Sequence, residues 1–126
     1  MDANKIKNDL GQFYGTEQYH FHSIIGSVGA LNLTDGCAYL REAANCFWLF
    51  DIISSILPQK KIKGEEFCSI RLKKTGSAAV FTVDDGNNNI LYTQKIPYTN
   101  FPLDEIHLYM TKYEGQRPVV MLTSEY

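Results

Sequence analysis

The feature that most constrains this chain is a change of hydrophobic period near Glu65. Between Thr34 and Leu57 apolar residues recur at helical spacing, and beyond Glu65 they recur at every second position. A helix returns to the same face about every 3.6 residues and a strand every two, so the two halves need different elements. Each half also needs cover for one apolar face, and each can supply it to the other. The expectation is an α+β fold, one domain over residues 1–126, with a sheet packed on a central helix.

In the second half, Cys68, Ile70 and Leu72 alternate with Ser69, Arg71 and Lys73, and "KTGS" then turns the chain. Ala79, Phe81 and Val83 follow, and "DDGNNN" makes the next turn. Ile90, Tyr92, Gln94 and Ile96 alternate with Leu91, Thr93 and Lys95, with "PYTNFP" as a longer loop. Ile106, Leu108 and Met110 form a fourth strand, and "EGQRP" leads to a fifth from Val119 to Thr123. Five consecutive strands with short connections predict an antiparallel meander.

The helix has a clear start. In "TDG" Thr34 offers a capping hydroxyl and Asp35 suits the positive end of the dipole. Nothing stops the pattern before Pro58, which predicts one long helix over 34–57 of roughly 34 Å. Tyr39, Ala43, Cys46, Phe50, Ile53 and Leu57 share one face, with Arg41, Asn45, Trp48, Ile52 and Ser55 opposite. A short N-terminal helix is expected from the stripe Ile6, Leu10, Phe13 and Tyr14, ending at Gly15. Between them, Tyr19 and Phe21 alternate with His20 and His22 as a strand start, Gly26 and Gly29 interrupt, and "ALNL" is a short extended piece.

Several functional classes fall away on bulk properties. The net charge of -2 sets up no field that draws nucleic acid. The charged start "MDANKIKNDLGQF" is not a secretory signal, and "CFWLFDIISSIL" is broken by Asp51 and too short to span a bilayer. Cys37, Cys46 and Cys68 are odd in number and lack CxxC spacing, so they read as small buried apolar side chains in a reduced cytoplasmic protein. No cofactor is implied.

Each candidate site also has a plainer structural role. His20 and His22 share a strand face about 6.6 Å apart and could pinch a metal, with a third ligand from His107, Glu17 or a cysteine. Nothing else has ligand spacing, so ordinary polar or partly buried histidines are the expectation. Asp51, in an apolar helix beside Trp48, must find a partner such as Arg41, Lys5 or a backbone amide, or else serve as a ligand-binding acid. "DDGNNN" lacks a calcium ladder and its distal Glu. The basic residues of "QKKIKG", with Arg71, Lys73, Lys74 and Lys95, are diluted by Glu65 and Glu66. The outward sheet face should display Arg71, Lys73, Val80, Thr82, Leu91, Thr93, Lys95, His107 and Tyr109, a protein-contact composition.

The motifs "GTEQY", "TDG-x-x-YL", "A-x-x-FWLFD-x-I", "ILYTQKIPYTNFPLDEI" and the terminal "SEY" resemble a small bacterial family of unknown function. The resemblance runs from Gly15 to Tyr126 and marks Gly15, Thr16, Asp35, Gly36, Trp48, Asp51 and Tyr126 as motif positions. It implies a bacterial, phage or plasmid setting, no assigned activity, and a size that suits an inhibitor of a host defence protein. Three functional expectations result. One is a non-enzymatic protein-binding module, and another is a structural homo-oligomer, such as a homodimer, joined through the open sheet face or an edge strand. The third is a small-ligand pocket or minor enzyme where Thr16, Glu17, Tyr19 and Asp51 converge beside Trp48.

Overall fold

A computed structural model describes residues 2–24 and 29–126; the interruption expected at Gly26 lies outside them. The elements are α1 (Ala3–Leu10), β1 (His20–His22), β2 (Leu31–Leu33), α2 (Asp35–Ala43), α3 (Phe47–Ile56) and α4 (Lys60–Lys63). Then come β3 (Phe67–Thr75), β4 (Ala78–Asp84), β5 (Ile90–Ile96), β6 (Glu105–Thr111) and β7 (Val119–Leu122), and a 3-10 turn over Thr123–Glu125.

The α+β class stands, with four corrections. The first helix ends at Leu10 with Gly11 as its C-cap and does not run on to Gly15. The expected single helix is two, α2 and α3, because Asn45 takes a left-handed φ of 48°. Cys46 N–H bonds back to Arg41 C=O at 3.0 Å and Asn45 N–H to Glu42 C=O at 3.2 Å. This is the paired closure of a Schellman turn, and Asn is the non-glycine residue that tolerates it best. Unbroken apolar spacing on both sides hid the stop.

The five-stranded antiparallel meander is in fact a seven-stranded mixed sheet in the order β1-β2-β7-β6-β3-β4-β5. β3, β4 and β5 form the expected meander, but β6 returns to pair with β3, giving a Greek-key arrangement. The connection 97–104 runs past the ends of β3 and β4, where Thr99 N–H bonds Ser77 C=O and Lys74 N–H bonds Asp104 C=O. Its Phe101 and Leu103 are buried in the core, so it serves as packed structure as well as a link. β2 joins β7 in parallel and β1 adds antiparallel to β2.

The fourth correction is at β5. Asp84 pairs with Ile90 while Val83 pairs with Tyr92, so Leu91 is an extra residue in a bulge. Ile90 therefore turns to the outer face, 56% exposed, and Leu91 is half-buried against the core. Elsewhere the expected alternation holds. Ile70, Leu72, Phe81, Val83, Leu108 and Met110 are buried with Leu40, Leu49, Phe50 and Ile53 from α2 and α3. Arg71, Lys73, Val80, Thr93 and Lys95 face out. The outer side closes near β7, where Thr111, Val119 and Met121 are buried. Its uncovered part is the surface of β3, β4, β5 and β6. Among the described residues no helix is long and apolar enough to cross a membrane.

Candidate functional site

Three of the sequence motifs meet at the N-terminus of α2. Thr34 caps the helix, its Oγ1 accepting from Cys37 N–H at 3.4 Å. That hydroxyl donates to Glu125 Oε1 at 2.6 Å, which also accepts from Leu122 N–H at 2.9 Å. Gly36 N–H donates to Glu125 Oε2 at 3.1 Å. A Cβ at Gly36 would stand 2.5 Å from Leu122 Cδ1 and 2.6 Å from Glu125 Oε1, which is why glycine sits there. The exposed amides of a helix start favour an anion, and here the chain supplies its own.

Asp35 gathers the "GTEQYH" loop. Its Oδ2 accepts from Glu17 N–H at 2.9 Å and its Oδ1 from His20 Nε2 at 2.9 Å. Asp35 N–H donates to Thr16 Oγ1 at 2.9 Å, and that hydroxyl donates to Gln18 C=O at 2.6 Å. The Glu17 amide first, and His20 second, hold the Asp35 carboxyl below its ordinary range.

The second histidine makes a separate bridge. His22 Nε2 lies 2.9 Å from Asp51 Oδ1, and Arg41 donates from Nη1 to His22 Nδ1 at 3.0 Å and to Phe21 C=O at 3.3 Å. Because a guanidinium only donates, Nδ1 must be the bare nitrogen and the ring proton sits on Nε2, facing Asp51. The ring is buried between Phe47 and Phe50, with centroids at 6.3 Å and 5.9 Å, and Arg41 lies over Phe47. Both nitrogens are committed, so neither is free to take a substrate proton. The two histidines thus reach two different carboxylates, and Asp51 has its partner in His22. Among the described residues no group of three His, Cys, Asp or Glu side chains is placed to hold a metal ion.

Trp48 stands apart from both networks. Its ring meets buried Phe101 edge-on at 6.2 Å and lines a cleft with Ile52, Gln94, Ile96 and Tyr98. Thr16 and Glu17 close on Asp35, Asp51 closes on His22, and Tyr19 is exposed. The expected convergence of Thr16, Glu17, Tyr19 and Asp51 around one cavity is absent from the cavities described, none of which they line.

Arg71, His107 and Tyr109, by contrast, are brought together on the uncovered face. They line a depression of about 580 Å³ with Phe67, Ser69, Thr82, Asp84 and Ile90. Ser69 Oγ and His107 Nε2 are 2.6 Å apart, and the His107 ring meets Tyr109 at 5.0 Å. Burial, and then Arg71, push the imidazole below its ordinary range, which disfavours its charged form. Among the described residues no carboxylate is hydrogen-bonded to His107, so the pair lacks the group that orients a catalytic base. Phe67 and Tyr109, which line the depression, meet each other and Tyr126 in tilted and edge-on ring contacts at 5.0, 5.6 and 5.2 Å. Sequence reasoning missed Phe67, Ser69 and Asp84 here. Their signal was present, since Ser69 and Asp84 fall in the same alternation as Arg71 and Thr82.

The thiols are not chemistry. Burial pushes Cys46 up to about 12 and Cys68 to about 11, and raises Cys37 far above its ordinary value.

The arrangement defines a small α+β protein in which Thr16 bonds to Asp35 and Gly36 to Glu125 at the start of α2, and an unsheathed sheet face presents Arg71, His107 and Tyr109 around a depression. The chain belongs to a family of unknown function, DUF6876, whose model matches residues 4–126. No curated protein and no solved structure matches it.

Proposed function

We propose that the chain is a non-enzymatic, cytoplasmic protein-binding module that seats its partner on the uncovered face of β3, β4, β5 and β6. The observation that carries this is the division of labour between the two sides of the sheet. Thr16, Asp35, Asp51, His20 and His22 bond between the N-terminal segment and the helices, whereas Arg71, paired with Glu105, and His107, bonded to Ser69, still line an open depression with Tyr109. Exposed Val80 and Ile90 lie beside Arg71, Lys73 and Lys95, the mixture of apolar and cationic groups found at interfaces. A concave centre with an aromatic rim suits a single anchoring side chain of the partner. A host defence protein is the partner that the family resemblance implies.

The test is a photo-crosslinking residue placed at Thr82, inside the depression, and in a second protein at Ser55, exposed on α3. A partner crosslinked from Thr82 and not from Ser55 supports the reading. Equal crosslinking from both, or from Ser55 alone, overturns it.

A further inference from the structure

The cleft beside Trp48 combines two aromatic surfaces with an unusual balance of polar groups. It holds about 510 Å³, walled by Trp48 and Ile52 from α3, Ile96 from β5 and Tyr98 just beyond it. Trp48 is fixed by its edge-on contact with buried Phe101, while Tyr98 is 75% exposed. No charged side chain lines the cleft.

Its polar groups are biased toward donation. Tyr92 Oη donates to Gln94 Oε1 at 2.6 Å, which engages the carbonyl end of that carboxamide and leaves its two N–H groups. Thr99 Oγ1 accepts from Phe101 N–H at 3.1 Å, so its hydroxyl proton is what it has left to give. Trp48 Nε1–H can only donate, bonds to no other described residue and reaches solvent. Of the lining side chains only Asn100 and Tyr98 bring an open acceptor along with a donor.

We propose that this cleft binds a proline-rich segment of another protein in the polyproline II conformation. Prolyl residues have no N–H, so such a segment offers carbonyl acceptors and apolar rings. That is the complement of donors set among aromatic surfaces. Its fixed φ also means that little conformational freedom is lost on docking, which suits an open cleft. An anion would meet no cation here, and a saccharide brings hydroxyl donors for which the cleft holds few acceptors. Gln94 and Ile96 pair with buried Phe81 and Ala79, so the cleft opens on the core side of the sheet, away from the depression. The two sites are separate, and loss of one leaves the other.

Trp48 is the chain's one tryptophan, so its fluorescence reads occupancy directly. Titration with a blocked decaproline peptide is expected to shift the emission saturably. A Gly-Ser peptide of equal length and a neutral oligosaccharide, cellohexaose, should not. Tyr98→Ala, at an exposed position, should keep the urea midpoint and weaken decaproline about tenfold. Gln94→Met, which removes the N–H donors at similar size, should weaken it about fivefold. Val80→Asp, on the outer face, should leave it unchanged. No saturable change with decaproline, an equal response to the Gly-Ser peptide, a response to cellohexaose alone, or full affinity in Tyr98→Ala would each overturn the proposal.

Discussion

Glu125 offers the sharpest single perturbation. Its carboxylate takes three donors, from Thr34 Oγ1, Leu122 N–H and Gly36 N–H, and joins the last turn to the start of α2. Glu125→Ala removes all three acceptors at once. Thr34 keeps a weak alternative in Val120 C=O at 3.4 Å, so its loss is partial. The two backbone donors are left without protein partners, at about 1 kcal/mol each. Loss of the anion at the helix start adds about 0.5 kcal/mol, and water entering the vacated space returns some of this. The expected cost is about 2 kcal/mol. Glu125→Gln keeps one acceptor oxygen but turns an amide toward a donor, and should cost about 1 kcal/mol. Trp48 is the chain's one tryptophan and is half-buried against Phe101, so its fluorescence reports urea unfolding. With a slope of about 2 kcal/mol per molar urea, Glu125→Ala should lower the midpoint by about 1 M. A Glu125→Ala midpoint within the scatter of ordinary surface substitutions, about 0.5 kcal/mol, would refute the reasoning.

Other consequences are checked in the same way. His22→Ala should cost about 3 kcal/mol, because it empties a buried ring position and strips Arg41 of an acceptor, whereas Asp51→Ala, at a half-exposed carboxylate, should cost about 1 kcal/mol; urea titration separates them. Asn45→Gly should be neutral or slightly stabilising, and Asn45→Val should lose about 1–2 kcal/mol at the left-handed position, read by thermal melts. The Asp35 carboxyl is depressed on folding, so its contribution is full above its ordinary pKa and is lost as pH falls through the lower folded value; Asp35→Asn should flatten that acid limb of the stability profile. A thiol reagent at pH 8 should find no reactive cysteine in the native chain and three in denaturant.

The strands were legible because alternation is a local signal. Cys68, Ile70 and Leu72 could be assigned to one face, and Arg71, His107 and Tyr109 to the other, without knowing the neighbours of any strand. Strand order was not legible in this way. β6 pairs with β3 and not β5 because the connection 97–104 buries Phe101 and Leu103 on its way across, and a run such as "PYTNFP" looks like any polar loop. β2 is too short to show a period, and its parallel pairing with β7 joins residues far apart in the chain. Asn45 ends α2 through a backbone conformation that leaves the apolar stripe intact, so the stop was invisible to periodicity. The histidines were the reverse case. Their shared face was read correctly, but the carboxylates they meet come from two helices whose placement depends on that break.

The central claim is that the motif side chains hold the fold while the uncovered face does the binding. Measuring unfolding free energy and retention of a captured partner on one set of variants tests it most directly. Thr16→Ala, Asp35→Asn and Glu125→Gln should lose stability yet hold the partner while folded, and Arg71→Ala and Val80→Asp, both at exposed positions, should stay close to wild-type stability and release it. A folded Thr16 or Asp35 variant that releases the partner, beside an Arg71 variant that keeps it, would contradict the account.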